Sequence, residues 1–140
     1  MEANFKISEN IAVELDGRHI DLHNNFDFEL ITKTSTGYLL QFVRNSGNWV
    51  RTDEYRRLTF ELTNVNFEHF EEGDPKATKE DANCLGELTF FPSELRKMND
   101  SIAPQTEPKK DDDIIFIFED GKLFRFGCER IELNATENNA

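Results

Sequence analysis

Three histidines and two cysteines are the side chains of this sequence best suited to acid-base, nucleophilic or metal chemistry. The histidines are His19, His23 and His69, and the cysteines are Cys84 and Cys128. Catalysis by such groups usually needs a histidine beside a positioned partner, and zinc sites combine histidine, cysteine and carboxylate ligands. The cysteines match no metal or redox spacing, so we interpret both as structural thiols.

The neighbours of the histidines predict structural roles. His19 faces Glu14 across a predicted hairpin, where a cross-strand ion pair stabilises the sheet. His69 has several glutamates beside it, but side chains on a strand alternate between faces, so only Glu71 projects with it. No phosphate-binding glycine loop, nucleophile elbow or paired-cysteine motif occurs in the sequence. We therefore predict no catalytic residue, no metal site and no cofactor.

Two acidic segments and one aromatic segment are the candidate protein-binding surfaces. Binding residues gather in loops that a rigid scaffold holds. The candidate contacts are charged or aromatic residues in predicted loops: Glu71, Glu72, Asp74, Asp111, Asp112, Asp113, Trp49 and Arg51. The three consecutive aspartates lack the spaced ligands and the glycine of a calcium loop, so we interpret them as a solvated charge run before a strand.

Trp49 is open to two interpretations. It follows a polar loop and precedes a strongly alternating strand, with Arg51 close by. Aromatic residues and arginines at such junctions are enriched in contact surfaces. The alternative is that Trp49 closes one end of the core.

The charge of the chain excludes some classes of partner. The sequence has 28 acidic and 16 basic residues, a formal net charge of −12. Such a surface repels the phosphates of nucleic acids and of anionic membranes. We expect instead a protein partner, in particular a basic one; the alternative is that the acidity only keeps a phenylalanine-rich protein in solution.

The length of 140 residues predicts a single β domain over residues 1–133, followed by a disordered tail over 134–140. The chain begins MEANFKISEN, which lacks the basic and apolar segments of a secretory signal. It contains no apolar stretch long enough to span a bilayer. We therefore expect a cytoplasmic protein that does not associate with membranes.

Residues 114–133 predict a hairpin. Asp120-Gly121 separates two apolar runs and suits a two-residue type I′ turn, whose positions require positive φ. Glu119 then faces Lys122, and Phe118 pairs with Leu123. This register makes both faces largely apolar, with Ile115, Ile117, Phe124, Phe126 and Cys128 on one face and Phe116, Phe118, Leu123 and Arg125 on the other. We expect the hairpin to lie near the middle of the core.

Other segments predict further strands. Residues 11–22 form a second Asp-Gly hairpin, residues 26–33 and 37–44 form a third hairpin around a polar loop, and residues 85–91 form another strand. The strand RRLTFELT alternates cleanly, but its apolar phase reverses at Thr63-Asn64. A bulge at this point would let one long strand cross between two sheets.

Two interruptions of the β pattern predict short helices. Residues 71–83 contain Asp74 as a candidate N-cap, followed by Pro75 at the first helical position. A helical turn is expected after Pro92.

The order of HNNFDFELI, YLLQFVRNSGNWV, YRRLTFELTNVNFEHF and DGKLFRFGCERIEL resembles small, β-rich bacterial proteins of uncharacterised families, some of them grouped with the immunity proteins of polymorphic toxin systems. The resemblance covers most of the chain and rests on apolar alternation and turns. It implies a cytoplasmic protein that neutralises a toxin by binding it, and the acidic charge suits a basic toxin such as a nuclease. No functional residue is carried over from it.

Together these observations predict a mainly β fold: a single antiparallel sandwich or flattened barrel with one or two short helices in the connections. The predicted function is non-catalytic binding of another protein. Two alternatives remain, a small hydrolase or ligand-binding barrel with a carboxylate-lined pocket, and a homo-oligomeric structural protein.

Overall fold

The structure is a computed structural model that describes residues 1–100 and 103–137. This part of the chain forms ten strands: β1 (Glu2–Ala3), β2 (Lys6–Ser8), β3 (Ala12–Leu15), β4 (Arg18–Asp21), β5 (Phe26–Lys33), β6 (Tyr38–Arg44), β7 (Arg57–Glu71), β8 (Leu85–Pro92), β9 (Asp112–Phe118) and β10 (Leu123–Thr136). Helices α1 (Leu22–Asn25) and α2 (Lys79–Asn83) and a 3₁₀ turn (Ser93–Leu95) lie in the connections.

The fold is mainly β, as the sequence predicts. One antiparallel sheet has the strand order β5-β6-β7-β10-β9-β8 and curls into a half-barrel, and β1 adds to β10 in parallel. The strands β2, β3 and β4 form a second, small sheet. The apolar faces of both sheets share one buried cluster, in which the ring of Phe5 lies 5.4 Å from that of Phe60.

The hairpin of β9 and β10 is present, but its predicted register is wrong by one residue. Phe116 pairs with Phe124 and Ile114 with Phe126. The Gly121 N–H donates to the Phe118 carbonyl, and the Phe118 N–H donates to the Lys122 carbonyl. The loop therefore has three residues and ends at Gly121, which has a positive φ.

A shift of one residue exchanges the two faces of a strand. Ile114, Phe116 and Phe118 therefore share the main core with Phe124 and Phe126. The opposite face carries Ile115, Ile117, Leu123 and Arg125 instead. Both faces are largely buried, which confirms the expected central position of the hairpin.

The two other predicted hairpins are confirmed. In β3 and β4, Val13 pairs with Ile20 and Glu14 with His19. Asp16 and Gly17 both have positive φ, as a two-residue type I′ turn requires. Strands β5 and β6 pair around a polar loop in which the Gly37 N–H donates to Thr34 Oγ1.

The irregularity in β7 is a bulge within one sheet. Asn64 has a φ of 55°, and the register changes between the pairs Gly127–Phe67 and Cys128–Val65, which leaves Asn66 as the extra residue. Because β7 stays paired with β10 on both sides of the bulge, the expectation that this strand crosses between sheets is wrong.

The two predicted helical segments are present, but the helix within residues 71–83 has a different cap, and helix α1 (Leu22–Asn25) was not predicted. The Thr78 side chain accepts from the Asp81 N–H and caps α2. Asp74 instead accepts from the Lys76 N–H in the preceding turn. The expected turn after Pro92 is the 3₁₀ helix.

Strand β10 continues to Thr136, so a disordered tail beginning at residue 134 is wrong for its first three residues. Asn134, Ala135 and Thr136 pair with the start of β7. Glu137 is exposed and lies outside any strand, and residues 138–140 of the predicted tail lie outside the described residues. Within residues 1–100 and 103–137, no helix has the length and apolarity needed to cross a membrane.

Candidate functional site

The predicted acidic contacts on the 71–74 segment are exposed. Glu71, Glu72 and Asp74 lie at and beyond the end of β7. His69 Nε2 is 2.9 Å from Glu71 Oε2, which confirms that these two side chains project together. The Asp74 N–H donates to the carbonyl of Asp120, so this segment lies against the turn between β9 and β10.

The three consecutive aspartates are not a solvated run. Asp111 is exposed, but Asp112 is 6% exposed and Asp113 is completely buried. Asp112 accepts hydrogen bonds from the Lys109 N–H and from Gln105 Nε2. Of the three, only Asp111 is available to contact a partner.

Asp113 belongs to a buried charge network. Arg96 donates to both carboxylate oxygens, at 2.8 and 2.9 Å, and Arg125 Nε donates to Oδ2 at 2.9 Å. The Arg125 side chain is also completely buried and donates to the carbonyls of Pro92 and Met98. This network fixes the connection after β8, which is a structural role rather than a binding one.

Trp49 is 63% exposed, so the alternative in which it closes the core is wrong. Val50, its neighbour, is buried in its place. The indole Nε1 donates to the Asn24 carbonyl at 2.9 Å, and a Cβ added at Gly47 would lie 2.0 Å from the ring. The ring is therefore both hydrogen-bonded and laid against a glycine, which fixes it on the surface.

Arg51 is exposed but already paired. Its guanidinium donates two hydrogen bonds of 3.0 Å to the Asp53 carboxylate. These hydrogen bonds are the main reason that the pKa of Asp53 lies below its ordinary value. The pair offers little free positive charge to a partner.

Trp49 stands at the edge of a cavity of about 590 Å³, which we name the Trp49 cleft. The residues that line it come from α1, β5, the loop after β6, and α2: His23, Asn24, Asp27, Asn45, Ser46, Trp49, Lys79, Glu80, Asp81, Asn83 and Cys84. Three carboxylates stand against one lysine there. Of the eight predicted contacts, Trp49 alone lines this cleft.

Local hydrogen bonds position the residues that line the Trp49 cleft. The Asp21 side chain caps α1 by accepting a hydrogen bond from the Asn24 N–H. This cap positions the Asn24 carbonyl, which accepts the hydrogen bond from Trp49 Nε1. Asn45 donates to both oxygens of Asp27 at 3.1 Å, and its own side-chain oxygen accepts from the Gly47 N–H. These bonds shape the loop that carries Trp49.

Burial and nearby carboxylates both affect the Cys84 thiol. Burial raises the pKa of this thiol, and the nearby carboxylates Glu119, Asp27, Asp81 and Asp21 raise it further. A raised pKa keeps the group a neutral thiol at pH 7, the opposite of an activated nucleophile.

His23, Cys84 and Glu119 form a cluster that sequence reasoning missed. His23 Nδ1 lies 3.5 Å from Cys84 Sγ and 3.7 Å from Glu119 Oε1. The same nitrogen is 2.7 Å from the carbonyl of Leu85, to which it must donate, since a carbonyl only accepts. These residues belong to three separate elements, so no local spacing could have revealed the cluster.

A larger cavity, of about 1010 Å³, lies between the first residues of the chain and the bulge of β7. Asp111 and Cys128 contribute to its lining. Burial raises the pKa of Cys128 to about 12. Among the described residues that line this cavity there is no histidine and no aromatic ring, so it offers fewer groups for recognition than the Trp49 cleft.

No protein-family model matches the chain, and neither a curated protein nor a solved structure matches it.

Proposed function

We propose that this protein is a non-catalytic binding domain that takes up a basic segment of another protein in the Trp49 cleft. One observation carries the proposal: the single tryptophan of the chain is 63% exposed and held in place at the edge of an acid-lined cavity.

An exposed and fixed tryptophan suits a binding role. Burying a large aromatic ring on association is strongly favourable, and tryptophan is enriched among the residues that dominate binding energy. Because a hydrogen bond and Gly47 already restrict the ring of Trp49, a partner need not immobilise it. Preorganisation of this kind lowers the cost of association.

The charge of the cleft favours a cation. Asp27, Glu80 and Asp81 face the partner against Lys79 alone. An arginine side chain can donate two parallel hydrogen bonds to a carboxylate and stack on an indole ring, whereas lysine offers only a point charge. The preferred partner is therefore a segment that contains arginine.

The resemblance to immunity proteins suggests a specific partner for this binding domain. In this version of the proposal, the protein is cytoplasmic and its partner is a basic toxin. The acidic cleft and the net charge of −12 both attract such a toxin. The exposed acids Glu71, Glu72 and Asp74 then contribute to long-range attraction rather than to direct contact.

A second candidate, a thiol hydrolase, is favoured by the 3.5 Å contact between Cys84 and His23. Two features of the cluster oppose it. The imidazole Nδ1 donates to Leu85, so it does not accept the thiol proton, and the carboxylates raise the pKa of the thiol. In a Cys128→Ser variant, we expect Cys84 to react with iodoacetamide more slowly than a free thiol at pH 7; faster reaction would favour the hydrolase.

Calorimetry with short synthetic peptides tests the binding proposal. We expect an oligo-arginine peptide to bind and an oligo-glutamate peptide not to. Trp49→Ala should weaken binding by about 2 kcal/mol or more, the scale of a dominant contact. A double variant Glu80→Gln and Asp81→Asn should also weaken it.

The matched control changes two exposed acids outside the cleft, Glu87→Gln and Glu94→Gln. This variant loses the same formal charge as the cleft variant. If both double variants lose affinity equally, the net charge of the protein is responsible and the cleft is not the binding site.

A further inference from the structure

We propose that His23, Cys84 and Glu119 form a binding site for a divalent transition-metal ion of the zinc class. The ligand atoms would be His23 Nδ1, Cys84 Sγ and a Glu119 carboxylate oxygen, which all lie within 4.8 Å of one another.

The distances suit a tetrahedral ion. Bonds of about 2.0 to 2.3 Å at tetrahedral angles place neighbouring ligand atoms about 3.3 to 3.6 Å apart. The Nδ1–Sγ distance is 3.5 Å and the Nδ1–Oε1 distance is 3.7 Å. Both distances from His23 Nδ1 are thus within a few tenths of an ångström of this arrangement before any ion binds. The third distance, between Cys84 Sγ and the Glu119 carboxylate, is within 4.8 Å, and three protein ligands leave one coordination position open.

The backbone holds the three residues together. In the antiparallel pairing of β8 and β9, Leu85 is opposite Phe118, which places Cys84 next to Glu119. The Glu119 N–H donates to the Cys84 carbonyl at 2.9 Å. On the third side, the His23 N–H donates to Ile11.

The side chain of Glu119 also depends on a glycine beneath it. A Cβ added at Gly86 would lie 3.0 Å from Glu119 Oε1. Glycine at this position leaves the carboxylate room to reach His23.

The donor set selects the class of ion. One thiolate, one imidazole and one carboxylate suit zinc and its cobalt substitute, whereas calcium and magnesium require oxygen ligands. The carboxylates of Asp21, Asp27 and Asp81 surround Cys84 without belonging to the ligand set, and their field favours a cation.

Binding requires a defined exchange of protons. The Cys84 thiol loses its proton to solvent and binds as a thiolate. A metal-bound Nδ1 of His23 carries no proton, so binding of the ion replaces the hydrogen bond from this nitrogen to the Leu85 carbonyl. Metal binding is therefore coupled to the release of protons.

Titration of the metal-free protein with cobalt(II) tests the site. We expect one equivalent to produce a thiolate-to-cobalt charge-transfer absorption, and zinc to abolish it by displacement. Magnesium and calcium should leave the absorption unchanged; displacement by either would overturn the assignment of the ion class.

Variants locate the ion. Cys84→Ser should abolish the charge-transfer absorption, and His23→Gln and Glu119→Gln should each weaken cobalt binding by about tenfold or more. Cys128→Ser tests the other thiol, and His69→Gln tests the other histidine that contacts a glutamate; both should bind cobalt as the original protein does.

Circular dichroism establishes that each variant is folded. Glu119→Gln changes a half-exposed turn residue and keeps the test decisive if Cys84→Ser does not fold. No absorption at equimolar cobalt, or an absorption that Cys84→Ser retains, overturns the proposal. The readout involves neither Trp49 nor a basic peptide, so this proposal and the binding proposal fail separately.

Discussion

Replacing Asp113 with alanine tests the buried charge network that connects β9, β10 and the segment after β8. The carboxylate is completely buried and accepts three hydrogen bonds, two from Arg96 and one from Arg125. Alanine at this position leaves the Arg125 guanidinium in the interior without its counter-charge.

The burial of each partner determines how much free energy of unfolding Asp113→Ala should lose. Removing one partner of a buried ion pair costs about 3 to 5 kcal/mol. Arg96 can recover part of its share, because its side chain is 36% exposed and can turn to water. Arg125 keeps its hydrogen bonds to Pro92 and Met98, but its charge stays buried. We therefore expect a loss of about 3 to 4 kcal/mol and a fall in Tm of roughly 10 to 15 °C.

Urea denaturation of the variant measures the loss, and an unchanged m value would show that the unfolded state is not altered. Asp111→Ala is the matched control, because it removes an exposed carboxylate from the same run and should cost less than about 0.5 kcal/mol. Equal effects of the two substitutions, or a loss below about 1 kcal/mol for Asp113→Ala, would refute the network as described.

Three further substitutions or titrations have defined outcomes. Phe126→Ala removes a completely buried ring and should lower the free energy of unfolding by about 3 to 5 kcal/mol in urea; a loss below about 1 kcal/mol would contradict its place in the core. The hydrogen bond to Glu68 raises the pKa of Tyr38 from 10.0 to about 12. Because the folded pKa is the higher one, the contribution of Tyr38 to stability is complete below about pH 10 and is lost between about pH 10 and 12. Spectrophotometric titration of tyrosine should show the late step in the original protein and an earlier one in Glu68→Gln; identical curves would contradict the pairing. Gly47→Ala should displace the ring of Trp49, alter its fluorescence and weaken oligo-arginine binding, whereas unchanged affinity would mean that the fixed position of the ring is unimportant.

Local signals in the sequence predict most of the fold. Asp-Gly pairs between apolar runs identify two hairpins, and the reversal of apolar phase at Asn64 identifies the bulge. These features depend on residues that are close together in the chain. For this reason they can be deduced without knowledge of the tertiary contacts.

The errors arise where contacts between distant segments decide the outcome. Asp120-Gly121 is compatible with a two-residue or a three-residue loop, and both registers give two largely apolar faces, so the local sequence does not distinguish them. Asp113 is polar and lies in a charged run, but two arginines distant in sequence allow it to be buried. The tail residues 134–136 are ordered because the start of β7 offers them a pairing edge.

The candidate sites follow the same rule. The sequence around Trp49 indicates a contact residue, but the acids that line the cleft with it come from β5 and α2. His23, Cys84 and Glu119 are separated by long stretches of chain and meet only through the pairing of β8 with β9 and the position of α1. Carboxylates and thiols assembled in this way leave no local signature.

The fluorescence of Trp49 is the most direct test of the binding proposal, because it is the single tryptophan and lies in the proposed site. The protein is titrated with an oligo-arginine peptide at low and at high salt, with an oligo-glutamate peptide as the control. We predict a saturable change in emission with oligo-arginine that weakens as salt screens the carboxylates, over a Debye length of roughly 8 to 10 Å near physiological ionic strength. Emission that stays constant with oligo-arginine, or changes equally with oligo-glutamate, would contradict the proposal.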